Sequence, residues 1–176
     1  MKFTPARLPG AWLIDLEPHS DERGFFARSW CTEAFAAREL CPSLVQCGIS
    51  FNRVSATLRG LHYQIAPHQE AKLVRCTRGE IFDVIVDLRP DSPCYRQWES
   101  FTLSDKNRRQ LYIPPGIAHG FQTQTDNTEV FYQMSEFYHA ESARGIHWQD
   151  PTVAITWPSP VSVISDGDRS LPVLEP

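Results

Sequence analysis

"EIFDVIVDL", residues 80–88, alternates with a period of two: Phe82, Val84, Val86 and Leu88 fall on one side, and Ile81, Asp83, Ile85 and Asp87 on the other. Successive side chains of an extended chain point to opposite faces, so this segment reads as a strand buried on one face and partly on the second. Working outward, short strands of the same kind are expected in "AWLIDL" (11–16), "LVQCGISF" (44–51), "LRGLHYQ" (58–64), "AKLVRCT" (71–77), "QWESFTL" (97–103), "RRQLYIP" (108–114), "GFQTQT" (120–125) and "TEVFYQMSEFY" (128–138). Turn chemistry separates them, in "CTRGE", "RPDSPC", "SDKN", "PPG" and "TDN". Only "TEAFAARELC" (32–41), after a cap at Thr32, has helical spacing of any length. About nine strands with one helix predict an all-β sandwich or barrel. The fourteen prolines agree, being concentrated in connections and in the tail from Pro151 onward.

Composition sets the limits of function. A chain of 176 residues, 41% hydrophobic and 22% charged, is long enough for one cored domain and short for two, and no repeat, low-complexity tract or linker divides residues 1–176. The formal charge of −4 supplies no global basic field for nucleic acid, so an anionic ligand has to be held by a local group of arginines. Cys31, Cys41, Cys47, Cys76 and Cys94 form no CxxC pair, and an odd, scattered set points to reduced thiols. The N-terminal "MKFTPARLPGAWLIDL" lacks a signal-type apolar segment, and no run approaches the ~20 apolar residues that cross a bilayer. A cytoplasmic protein without membrane association is expected.

The stretch "LRGLHYQIAPHQEAKLVR" (58–75) is unusually polar for β-structure. On the pleat, Lys72, Val74 and Cys76 share a face, whereas strict alternation separates Arg59 from His62. Gly60 between them allows a bulge that turns both toward one cavity, a common use of glycine inside a strand near a site. Singly, Lys72 suits an aggregation-blocking edge strand and His62 a hydrogen-bonded core position. Together they suit a site.

In "LYIPPGIAHGFQ", Pro114, Gly116 and His119 fit the P-x-G-x-x-H spacing of the second cupin signature, in which a tight turn feeds a strand with an inward histidine. The partner signature of metal-binding cupins needs G-x5-H-x-H and a nearby glutamate. Here His62 is followed by Gln64, Glu70 lies too far on, and His68 falls in the loop "IAPHQEA". Two histidines without a well-spaced third ligand do not make a tight transition-metal site. The expectation is a barrel whose histidines do acid–base work with no metal and no cofactor.

The blocks "DERGFF" (21–26), "LRGLHYQ" (58–64), "KLVRCTRGEIFDVIVDLR" (72–89), "LYIPPGIAHGF" (111–121), "TEVFYQMSEFY" (128–138), "IHWQDP" (146–151) and "SDGD" (165–168) are colinear over nearly the whole chain. The sequence they compose resembles the dTDP-4-dehydrorhamnose 3,5-epimerases of nucleotide-sugar biosynthesis. The resemblance implies a metal-free cupin jelly roll with one short helix near the N-terminus and short C-terminal helical segments, acting as a homodimer on a nucleotide sugar. It also implies that "DERGFF" reaches the partner subunit's site. A 4-keto sugar has acidic C–H bonds at C3 and C5, so the reaction needs a base, an oxyanion stabiliser and an acid on the opposite face of the ring. His62 is the candidate base. By resemblance, Asp168 pairs with it, Lys72 meets the C4 oxygen and Tyr132 donates the proton. Arg23 and Arg59 match pyrophosphate-gripping positions, and Phe26, Gln46, His119 and Tyr138 match positions lining the base and sugar pockets.

Three departures stand out against the family pattern, which commonly has a glutamate at Arg28, Asp-Asn at Cys47-Gly48 and a basic residue at Gly167. All three are expected on the nucleotide-binding side, bearing on which sugar is taken. The alternatives are an enzyme inverting one centre alone, a metal-dependent cupin oxygenase using His62 and His119, and a sugar-binding cupin without catalysis.

Overall fold

The computed structural model describes residues 1–175. In chain order the elements are β1 (Lys2–Pro5), β2 (Trp12–Asp15), β3 (His19–Asp21), β4 (Gly24–Phe26), α1 (Thr32–Ala36), β5 (Gln46–Asn52), β6 (Leu58–Gln64), β7 (Lys72–Arg78), β8 (Glu80–Asp87), β9 (Trp98–Ser104), β10 (Gln110–Ile113), β11 (Ile117–Thr123), β12 (Thr128–Met134), β13 (Ala143–Gly145) and α2 (Asp166–Arg169). A six-stranded sheet of order β1-β2-β10-β7-β12-β5 faces a five-stranded sheet of order β13-β6-β11-β8-β9, and β3 and β4 pair only with each other. All the ladders are antiparallel. This is the cupin jelly roll.

Side-chain alternation divides the interior into three layers. Val74, Cys76, Leu111, Ile113 and Val130 from the larger sheet meet Ile81, Ile85, Leu103, Ile117 and Phe121 from the smaller one. The opposite side of β8 and its neighbours, with Leu61, Val84, Val86 and Ala118, is covered by the C-terminal segment through Ile146, Val153, Ile155, Trp157 and Leu174. The expected strand 80–88 is therefore buried on both faces, because the tail adds a layer that periodicity alone does not reveal. On the outer face of the larger sheet, Phe35 of α1 packs among Phe3, Trp30 and Tyr112.

The helix is shorter than its spacing suggests. Its N-cap is Cys31, without a side-chain cap, and Thr32 is already helical. Beyond Ala37 the chain turns at Glu39 (φ 58°), and Leu40 N–H bonds back to Phe35 O, ending the helix before Cys41. Strand β12 stops at Met134, shorter than the segment to Tyr138 that its sequence suggests. Strands β1, β3, β4 and β13 have only three or four residues each, too few to display a period. All five cysteines are free, and burial pushes the Cys76 thiol up to about 12. No helix among the described residues is long and apolar enough to cross a membrane.

The bulge expected at Gly60 is present. Along the β6–β11 ladder His119 pairs with His62 and Phe121 with Arg59, so two steps on β11 oppose three on β6. The extra residue reverses the alternation, turning Arg59 and His62 into the same cavity. Gly60 has φ 101°, and a Cβ there would lie 2.7 Å from His119 O and 2.8 Å from Gly120 Cα. Gly60→Ala is accordingly expected to destabilise the fold by about 2–4 kcal/mol, read from urea unfolding. An unchanged midpoint would show that the backbone approach is not limiting.

Candidate active site

Where the apolar interior stops, a cavity of about 540 Å³ opens between the two sheets. Arg59 and His62 of β6 and His119 of β11 line it from the smaller sheet, and Gln46, Gly48, Lys72 and Tyr132 of β5, β7 and β12 from the larger. Asp168 of α2 closes one side and Tyr138 the mouth. Eight of the ten residues singled out from sequence thus converge here: His62, Asp168, Lys72, Tyr132, Gln46, Arg59, His119 and Tyr138. Arg23 and Phe26 do not. They sit on the exposed β3–β4 hairpin, where Arg23 pairs with Asp21 at 2.5 Å and Phe26 is 71% exposed.

Asp168 is delivered by the chain's end. Leu58 N–H bonds to Val163 O and Thr57 bridges Val163, which ties the tail to the start of β6. Ser165 then caps α2, its hydroxyl accepting from Asp168 N–H at 3.0 Å. From this third helical position the Asp168 carboxylate takes His62 Nε2 at 2.7 Å on Oδ1 and the Gly60 amide at 3.2 Å on Oδ2. Burial pushes its pKa up. The hydrogen bond and charge of His62, the Gly60 amide and the Ser165 hydroxyl together outweigh that effect and hold the carboxyl below its usual range. The imidazole of His62 is half exposed, as a base that must reach a ligand requires.

Across the cavity stands Tyr132. Its hydroxyl is kept protonated, chiefly by desolvation and further by the nearby charges of Asp83 and Asp168, with Arg59 opposing. His119 packs edge-on against the ring at 5.9 Å and is held through Nε2 by the fully buried carboxylate of Asp83. Lys72 opens β7 in the middle of the larger sheet, which removes the edge-strand explanation for it. Its ammonium is fixed by Glu70 at 3.0 Å and by His62 O at 3.2 Å. Arg59 is oriented by Asn52 Oδ1 at 2.7 Å, and Gln46 Oε1 accepts the Tyr138 amide at 2.8 Å.

Asp83, Glu70 and Asn52 are positioning groups that sequence reasoning did not single out. The signal for Asp83 was available, as an acid between Ile81 and Ile85 on one face of a buried strand. One expectation is corrected: Gly48 pairs in register with Tyr132 and lines the cavity, so this departure borders the chemistry as well as the nucleotide side. Gln64, standing where metal cupins have a second histidine, lines the cavity with its amide engaged by His68 O, Phe137 O and His139 N–H.

A family model described as dTDP-4-dehydrorhamnose 3,5-epimerase matches residues 5–176. This chain belongs to that family. It is similar to the dTDP-4-dehydrorhamnose 3,5-epimerase of Methanothermobacter thermautotrophicus, 43% identical over 172 residues that cover 96% of this chain and 92% of the relative. It is similar also to the crystal structure of the Bacillus anthracis enzyme with TDP and PPi bound, at TM-score 0.94 and 40% identity over 98% of this chain and 99% of that one. The Legionella pneumophila enzyme in complex with dTDP-4-keto-L-rhamnose superimposes with TM-score 0.91 and 34% identity over 98% of this chain and 92% of its own. Membership in the dTDP-4-dehydrorhamnose 3,5-epimerase family makes the chain an isomerase, and the cavity is its candidate active site.

Because the folded-state pKa of Asp168 is depressed, its contribution to stability is complete above the unfolded value and is lost as pH falls through the folded one. Wild type should therefore lead Asp168→Asn in urea midpoint at pH 5, and the margin should narrow below about pH 4 as the carboxylate is protonated. Epimerase turnover in Asp168→Asn should drop by roughly 10³-fold. A pH-independent margin with near-normal turnover would separate Asp168 from His62.

Proposed function

We propose that the chain inverts C3 and C5 of a dTDP-linked 4-keto-6-deoxyhexose through an enolate, without a cofactor. The observation that carries this reading is a hydrogen-bonded imidazole–carboxylate pair on one sheet and a protonated phenol on the other, facing each other across one cavity with a fixed ammonium between. His62 removes the proton, while Asp168 holds the tautomer and stabilises the imidazolium that forms. Lys72, preorganised by Glu70, meets the oxygen on which enolate charge develops, an interaction worth about 3–4 kcal/mol to a transition state. Tyr132 returns a proton from the opposite face, which is the event that inverts the centre. Arg59 takes a phosphate of the nucleotide with its planar fork, and Gln46, His119 and Tyr138 shape the sugar and base pockets. A nucleotide-activated substrate and free thiols fit a cytoplasmic enzyme.

The working unit is a homodimer in this reading. A two-stranded hairpin is marginal in water by itself, yet β3 and β4 pair with nothing else among the described residues and expose Phe25 and Phe26. Strand β5 is a sheet edge whose outer face exposes Ile49 and Phe51. Apolar surface on both elements fits an arm that crosses to the partner and brings Arg23 and Phe26 to the partner's cavity.

Incubating dTDP-4-keto-6-deoxyglucose with the protein in D2O should place deuterium at C3 and C5, seen by NMR. Label at one carbon would identify an enzyme inverting one centre, and bound substrate without exchange a binding protein. His62→Ala should lower exchange by roughly 10³-fold while dTDP affinity changes little; retained exchange removes His62 from the role of base.

The arm is tested by mixing two defective variants. Refolding Arg23→Ala with His62→Ala should restore roughly a quarter of wild-type sites, because half of the dimers are mixed and each has one intact site. No recovery above the separate variants rules out a shared site.

A further inference from the structure

The rim of the cavity carries a second cluster that the proposed proton transfer does not use. His68, in the loop between β6 and β7, and Glu136 and His139, after β12, each bring one ligand-type atom to within 4.8 Å of the other two, and all three are half-buried. The backbone carrying them is fixed by one buried amide. Gln64, 3% exposed, accepts from His139 N–H at 2.7 Å and donates to His68 O at 3.0 Å and Phe137 O at 3.1 Å. A carboxylate stands behind the cluster as well. His139 Nδ1 lies 3.2 Å from Glu141, a bond that keeps the ring proton on Nδ1 and leaves the lone pair on Nε2. This carboxylate–histidine pairing commonly supports a metal ligand. The rings of His68 and His139 stack at 3.4 Å with 10° between their planes.

We propose that His68, Glu136 and His139 form a binding site for a divalent transition-metal ion, with Zn2+ the best match to the donors. Two imidazoles and a carboxylate are a borderline set suited to zinc, in contrast to the all-oxygen shells of magnesium and calcium. Bonds of ~2.1 Å in a tetrahedron place ligand atoms roughly 3.4 Å apart. The ligand atoms lie within 4.8 Å of one another, so the cluster closes onto an ion by roughly 1.4 Å, side-chain torsions turning the two rings out of their stack so that a nitrogen of each aims at it. Three protein ligands leave the fourth position to water.

The ion cross-links two segments at the mouth of the cavity. Glu136 and His139 flank Phe137 and Tyr138, and Tyr138 lines the mouth with its amide held by Gln46. Metal binding thus fixes the turn that presents Tyr138 while touching none of His62, Lys72 or Tyr132, so its effect falls on substrate affinity and not on proton transfer. The site stands independently of which sugar the enzyme takes.

Titration of Zn2+ into chelator-treated protein by calorimetry should give one ion per chain, and Co2+ in its place should show the absorption of a four-coordinate site. His139→Gln and Glu136→Gln should each weaken Zn2+ binding at least ~10-fold, whereas His147→Gln, outside the cluster, should leave it unchanged. Zn2+ should raise the melting midpoint of wild type but not of the His68→Gln/His139→Gln double variant, with circular dichroism reporting that the variant is folded. Absence of saturable one-to-one binding to wild type overturns the proposal. So does binding unaffected by His139→Gln and Glu136→Gln, or binding abolished by His62→Gln, which would move the ion into the catalytic cavity.

Discussion

One carboxylate joins the last turn of the chain to the irregularity in β6 on which the site is built. Asp168 accepts the Gly60 amide with one oxygen and His62 Nε2 with the other. The first bond satisfies a backbone donor buried at the bulge, and the second aims the imidazole that the bulge has turned inward. Removing the carboxylate would leave the Gly60 N–H without that acceptor at a buried position and free the tautomer of His62. Fold and chemistry are coupled here because the same side chain serves both. The tail that delivers it is also the outer apolar layer over β8, so covering the smaller sheet and supplying the carboxylate are consequences of one chain path.

Two histidine–carboxylate pairs sit side by side on neighbouring strands, and burial assigns them different work. His62 and His119 are register partners across β6 and β11, and each is held through Nε2 by an aspartate. His119 is 4% exposed and Asp83 fully buried, so their bond spends itself on fixing the cavity wall and on keeping negative charge beneath Tyr132. His62 is 51% exposed and free to meet a ligand. Chemically similar pairs thus differ in solvent access, one sealed in the wall and the other open to the cavity. The negative charge of Asp83 has a further effect: added to desolvation, it disfavours the phenolate of Tyr132 and favours the protonated phenol.

The sequence showed the strands that carry period-two patterns, and with them the barrel and most of the cavity. Long alternating segments such as 80–88 were legible because one buried face leaves a mark at every second residue. The bulge was legible because a glycine between two polar groups of opposite parity has few other uses. What escaped has a physical reason in each case. Strands of three or four residues, such as β13, are too short to carry a period and exist because a neighbour pairs with them. The second buried face of β8 depends on a tail distant in sequence. Glu70 and Asn52 act by orienting Lys72 and Arg59, and nothing local in sequence distinguishes an orienting carboxylate or amide from a solvated one. Asp83 was readable as an acid among apolar residues, but its partner His119 is 36 positions away. Arg23 and Phe26 lie on a hairpin outside their own chain's cavity, too short to carry a period that would place it.

Strand β6 carries both the amide that anchors the rim and the imidazole that pairs with Asp168. His62 and Gln64 are two residues apart on a strand whose backbone is paired on one side with β11 and on the other with β13. Gln64 holds the loops bearing His68 and His139, while His62 answers to Asp168. The rim loops and the imidazole are thus anchored on one doubly paired strand by two different side chains, Gln64 and His62.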